Sequence, residues 1–144
     1  MRHWILGAAL IGVSCAAMAH QGVRNPAVKA RMDLMAVMAA STKTLGRMAK
    51  GEKNFDPALA NAALSRLGAA AAETPRLFEA PETDPASEAL PEIWLDFDDF
   101  TRRSRTLEKV VRAAAPIETP NDLRAALRNL GKTCSSCHKV YRMP

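Results

Sequence analysis

The sequence predicts an all-α fold, an antiparallel up-down-up-down four-helix bundle, and three observations lead to it. Aromatic residues make up only 5% of the 144 and glycines number seven, poor material for strands and their turns. Alanine, leucine, methionine, arginine and lysine dominate, and all are strong helix formers. Apolar residues recur at alternating steps of three and four, the period of helices packed in a left-handed bundle.

Each helix carries its own start signal. Asn25-Pro26 sets a capping side chain before a proline at the first helical position, opening a helix over about 26–50 that Gly51 ends. Val28, Met32, Met35, Met38 and Leu45 share one side of it. Asp56-Pro57 repeats the device for a second helix over about 57–73, which Thr74-Pro75 is expected to terminate. The stretch from Pro75 to Pro91 holds four prolines and few apolar residues, so it reads as a connecting loop. A third helix over about 91–115 places Ile93, Phe97, Phe100, Ser104, Leu107, Val111 and Ala114 in a stripe. Thr119-Pro120 opens the fourth, over about 120–142, with Leu123, Leu127, Leu130, Cys134, Cys137 and Tyr141 in register. Short connections from first to second and from third to fourth make those neighbours antiparallel.

Residues 1–19 read as a cleaved signal peptide rather than part of the fold. Arg2 and His3 form a positive start, Trp4 to Val13 is an apolar run too short to span a bilayer, and Ala17-Met18-Ala19 supplies a cleavage pattern. Cleavage leaves residues 20–144, a single exported, periplasmic domain of formal charge +4. A lipidated Cys15 is the weaker reading, because Gly12 stands where a lipoprotein leader wants leucine. Cleavage after Ala19 makes His20 the N-terminal residue, but a copper site there lacks further histidines. No later stretch is long enough for a membrane span. Lysine and arginine are scattered along the chain, so a nucleic-acid partner is not expected.

The chemistry is carried by Cys134-Ser135-Ser136-Cys137-His138, the C-x-x-C-H pattern of covalent haem attachment. Cysteines three apart on a helix face one side, where both thiols reach the two vinyl groups at one haem edge. His138, four after Cys134, can then turn its imidazole to the iron. A zinc site would need a second pair of ligands that the chain lacks. A thiol oxidoreductase would place the pair at the start of a helix after a strand, whereas here it ends the last helix. One covalent haem c, with its iron, is therefore the expected cofactor.

The C-terminal C-x-x-C-H followed by Lys139-Val140-Tyr141-Arg142 resembles the cytochrome c′ family, including its low-spin relatives called cytochrome c-556. Val28-Lys29-x-Arg31, Gly51 with Phe55-Asp56, and Pro91-Glu92-Ile93-Trp94 agree with it, and nearly all of residues 20–144 are covered. The resemblance implies a four-helix bundle with haem between the first and last helices. It implies Arg31 near a haem propionate, Trp94 packed by the haem, and Arg142 near the proximal imidazole. Homodimers are common in that fold, and a homodimer is one assembly open to this chain.

The sixth iron position separates the functions that the resemblance allows. The residue four after Arg31 covers the distal side in the cytochrome c′ branch and ligates as methionine in the c-556 branch. Here it is Met35, with Met32 and Met38 about one turn away and Met48 also on this helix. Read as packing, a methionine on an apolar stripe fills a core. Read as a ligand, Met35 with His138 makes a low-spin one-electron carrier, a protein that serves redox partners and is not an enzyme. The alternative is a five-coordinate cytochrome c′ that binds nitric oxide or carbon monoxide. Peroxidase or nitrite chemistry would need a distal acid or base, and Asp33, two from Met35, points elsewhere.

Overall fold

The computed structural model describes residues 22–144, and the expected leader, with Cys15 and His20, lies outside the described residues. Five helices follow one another: α1 (Pro26–Ala49), α2 (Pro57–Leu77), the single turn α3 (Glu92–Leu95), α4 (Phe97–Ala114) and α5 (Pro120–Tyr141). The four long helices form a closed ring in which α1 packs on α2, α2 on α4, α4 on α5, and α5 back on α1. This is the antiparallel four-helix bundle.

The caps work as side-chain chemistry requires. Asn25 accepts hydrogen bonds from the Ala27 and Val28 amides, Asp56 from the Leu59 amide, and Thr119 with Asp122 closes a reciprocal capping box. Gly51 ends α1 at φ 75°, a conformation a side chain would oppose. Leu45, Leu64, Leu67, Ile117, Leu123 and Leu130 are fully buried and form the centre of the main core.

Two helix boundaries differ from the sequence expectation. The second helix runs through Pro75 to Leu77 instead of stopping at Thr74. Proline has no N–H, so the Ala71 carbonyl loses its intrahelical donor. The buried hydroxyl of Ser104 on α4 donates to that carbonyl at 2.6 Å. The expected third helix is broken at Asp96, which leaves helical geometry (φ −137°, ψ 66°) and accepts from the Asp99 amide to cap α4.

The loop between α2 and α3 is pinned at its middle and near its C-terminal end. Asp84 accepts from the Arg24, Asn25 and Ala86 amides, and these bonds hold its carboxyl below the ordinary range. An isolated bridge joins Ala89 to Arg142, with the Met143 amide donating to the Glu88 carbonyl at 2.8 Å. The bridge ties the loop to the C-terminal end of α5.

Candidate haem site

α5 sets the position of the attachment turn. Its capping box fixes the N-terminus, and buried Leu123, Ala126, Leu130 and Tyr141 lock its rotation against the bundle. In that rotation Cys134 and Cys137 are half-buried, and His138 keeps more than a third of its surface open to solvent. Cys134 packs against the main core beside Met38 and Leu127. Cys137 packs against a second, smaller cluster of Phe78, Ile93, Phe100 and Tyr141. Met35 from α1, Trp94 from α3 and Phe97 from α4 pack on that same cluster.

Both thiols are free. Burial pushes the Cys137 thiol up to about 11 and raises that of Cys134 as well. Both groups therefore stay protonated near neutrality, without the thiolate that thiol–disulfide exchange requires. Partial burial, followed by the charge of Arg142, holds the His138 imidazole below its ordinary pKa. The neutral ring, the form that binds a metal, is thereby favoured. Among the described residues no three His, Cys, Asp or Glu side chains gather, so no zinc-type ligand set is built.

The residues named from the sequence lie around these clusters, and the structure shows protein partners for Arg31, Trp94 and Arg142. Arg31 is only 2% exposed. Its guanidinium donates to the carbonyls of Leu77 (2.8 Å), Glu82 (2.7 Å) and Ala80. It also lies 5.0 Å from the Phe78 ring and 5.3 Å from the Trp94 ring. The resemblance implied a propionate partner; in the structure the Arg31 guanidinium ties the end of α2 and the α2–α3 loop to α1. Trp94 is half-buried and donates from Nε1 to the Phe78 carbonyl at 2.8 Å. Arg142 pairs with Glu88 at 2.6 Å. Met32 belongs to neither cluster, whereas Met35 and Met38 each share a cluster with one of the cysteines.

One part of the site was not visible beforehand. Asp99 on α4 accepts from the Tyr141 hydroxyl at 2.6 Å, from Arg103 Nε at 2.5 Å and from Arg102. Arg103 also donates to the Ser136 carbonyl inside the attachment turn at 3.0 Å. The Arg103 and Tyr141 bonds hold the Asp99 carboxyl below its ordinary range. The set braces the cysteine turn against α4. Tyr141 stood on the apolar stripe, but nothing in the sequence singled out Asp99.

These residues fit a covalent haem. Two free thiols sit three apart beside apolar and aromatic side chains, a histidine follows, and a methionine approaches the same cluster from α1. Of the four long-helix pairs, α1 and α5 are the least closely packed. A four-helix bundle with this turn in its last helix defines the class of bundle-type haem c proteins.

The chain belongs to the cytochrome c′ family: the family described as Cytochrome C' matches residues 26–142, from the start of α1 to just past α5. It is 38% identical over 122 residues to a cytochrome c-554 of Cereibacter sphaeroides, covering 80% of this chain and 79% of that protein. Oxidised cytochrome c-556 of Rhodopseudomonas palustris superposes with a TM-score of 0.76 at 29% identity, covering 84% of this chain and 98% of the other. A cytochrome c′ variant of Alcaligenes xylosoxidans, solved as its nitric oxide complex, superposes with a TM-score of 0.71 at 30% identity. It covers 82% of this chain and 94% of that one. The protein is thus a haem protein of the electron-transfer or ligand-binding type, with covalently bound haem c and its iron as cofactor.

Proposed function

We propose that this protein is a periplasmic one-electron carrier, with haem attached at Cys134 and Cys137 and its iron held by His138 and Met35. One observation carries the reading. Met35 on α1 and Cys137 on α5 pack against the same cluster of Phe78, Ile93, Phe100 and Tyr141. That common contact supports a thioether directed toward the attachment turn.

When bound, the haem supplies an iron that cycles between ferric and ferrous by one electron. The chain's part is to hold and shield it. His138 is favoured as the neutral imidazole, and Met35 offers a soft sulfur that stabilises the ferrous state. The aromatic cluster excludes water. Asp99, Arg103 and Tyr141 fix the turn that bears the cysteines. Arg31 and Trp94 stand beside the same cluster, where they would flank the haem, and Arg142 lies by the imidazole. No step requires a substrate or a proton donor, so the protein is read as a carrier and not an enzyme.

The second reading is a five-coordinate, gas-binding haem in which Met35 only packs. The nitric oxide complex of the Alcaligenes relative favours it. Optical spectra of the ferric and ferrous holoprotein, with and without carbon monoxide, separate the two. The carrier reading expects a low-spin spectrum with a sulfur–iron charge-transfer band that Met35→Leu abolishes. A high-spin spectrum that the substitution leaves unchanged, with fast carbon monoxide uptake, assigns the gas-binding function.

A further inference from the structure

Arg124, Arg128, Lys132, Ser135 and Lys139 advance along α5 by steps of four, four, three and four, so they line up on one side of the helix. All five are exposed, and the row is roughly 22 Å long at the helical rise. From Leu123 to Arg142 there are five Lys or Arg and no Asp or Glu. Among the described residues no carboxylate pairs with Arg124, Arg128, Lys132 or Lys139. The expectation of scattered basic charge is thereby corrected: dispersed in sequence, these bases are gathered by the helical register.

The opposing charge is gathered too. Residues 77–101 hold eight Asp or Glu and no Lys or Arg. The bridge from Ala89 to Arg142 places this acidic segment at the C-terminal end of α5. The molecule is therefore polarised along α5, basic over most of the helix and acidic beyond its end. A field of this kind steers a charged protein and fixes its orientation on arrival.

We propose that the outer row of α5 docks an acidic redox protein, which exchanges one electron with the haem at the turn flanked by Lys132 and Lys139. This rests on the carrier reading above. The bases flank Cys134 and Cys137 in sequence, while both cysteines face the core across the helix, so an acidic patch seated on the row lies about one helix width, roughly 10 Å, from the attachment edge. One electron passes from the reduced centre of the partner to ferric iron, or from ferrous iron to an oxidised partner, and no group or proton moves. The acidic 77–101 segment lies just beyond Lys139, so it bounds the footprint of the same partner at that end of the row. The row contains no apolar side chain, which an interfacial helix would need to enter a lipid surface.

The test uses the ferric holoprotein and an acidic flavodoxin in its reduced form. A water-soluble carbodiimide joins apposed ammonium and carboxylate groups, and mass spectrometry maps the joined lysines. Links are expected at Lys132 and Lys139 over Lys29, Lys43, Lys50 and Lys53, and they should fade as salt rises. The second-order reduction rate should fall about 10-fold or more in Arg128→Glu/Lys132→Glu at low salt, with the optical spectrum and reduction potential unchanged. Links concentrated on Lys43, Lys50 and Lys53, with normal transfer, overturn the docking surface and leave the carrier reading intact. Links at Lys132 and Lys139 without electron transfer keep the surface and overturn the carrier. Salt-sensitive binding to phosphatidylglycerol vesicles, with no links to flavodoxin, assigns the row to a membrane surface and overturns the proposal.

Discussion

Ser104 shows how one polar side chain on a core stripe can belong there. Its position among Phe100, Leu107 and Val111 looks like an interruption until Pro75 is considered. Pro75 withholds the donor that Ala71 would otherwise receive, and the Ser104 hydroxyl replaces it across the helix interface. Removing the hydroxyl leaves a buried carbonyl unsatisfied, which costs about 1–3 kcal/mol. Ser104→Ala should therefore destabilise the holoprotein by that amount in urea unfolding. Pro75→Ala restores the amide, so Ser104→Ala should cost much less in that background. A double-mutant cycle with coupling near zero would show that the two residues act separately. The pair also explains a misread boundary. Thr74-Pro75 carries a strong local stop signal, and only the spatial neighbour supplied by α4 lets the helix continue.

Much of the element level was readable because it is local. Asn25, Asp56 and Thr119 cap with their own side chains, so three helix starts lie where those residues stand. The same locality makes the C-x-x-C-H turn legible, since both cysteines and the histidine belong to one helical face. What escaped depends on contacts across the sequence. Asp96 is the exception, a local cap that accepts from the Asp99 amide but is announced by no flanking proline or glycine. Asp99 gains its role only once Tyr141 is brought against it, and Arg31 only once the α2–α3 loop folds over it. Arg31 offers an element-scale prediction. Arg31→Met removes the donors from two loop carbonyls and the last carbonyl of α2 and should destabilise the protein by about 2–3 kcal/mol. Hydrogen exchange across residues 78–91 should accelerate most. Arg31→Lys should rescue only part, because one ammonium cannot reproduce a planar fork of donors. Unchanged exchange in that loop would mean that Arg31 acts on the haem side alone.

At the scale of the whole molecule, the acidic carboxylates set the pH range over which the bundle holds together. Asp84, Asp99 and Asp122 all have folded-state pKa values below the ordinary one, through amide bonds, through Arg103 and Tyr141, and through Thr119 respectively. Each is a depressed carboxyl, so the unfolded chain binds its proton more readily than the folded one. The stability they contribute is then complete above the unfolded value of about 4 and is lost as pH falls through the lower folded values. The three act at separate junctions: the loop with the start of α1, α4 with the attachment helix, and the cap of α5. Their loss on acidification is therefore distributed through the bundle rather than confined to one end. The urea midpoint of the holoprotein should be nearly constant from about pH 7 to 5 and should drop below about pH 4. Asp84→Asn keeps one acceptor but no charge, so it should lower the midpoint at pH 7 and flatten the acid limb. An acid limb as steep in Asp84→Asn as in the native protein would remove Asp84 from this account and leave Asp99 and Asp122 to carry it.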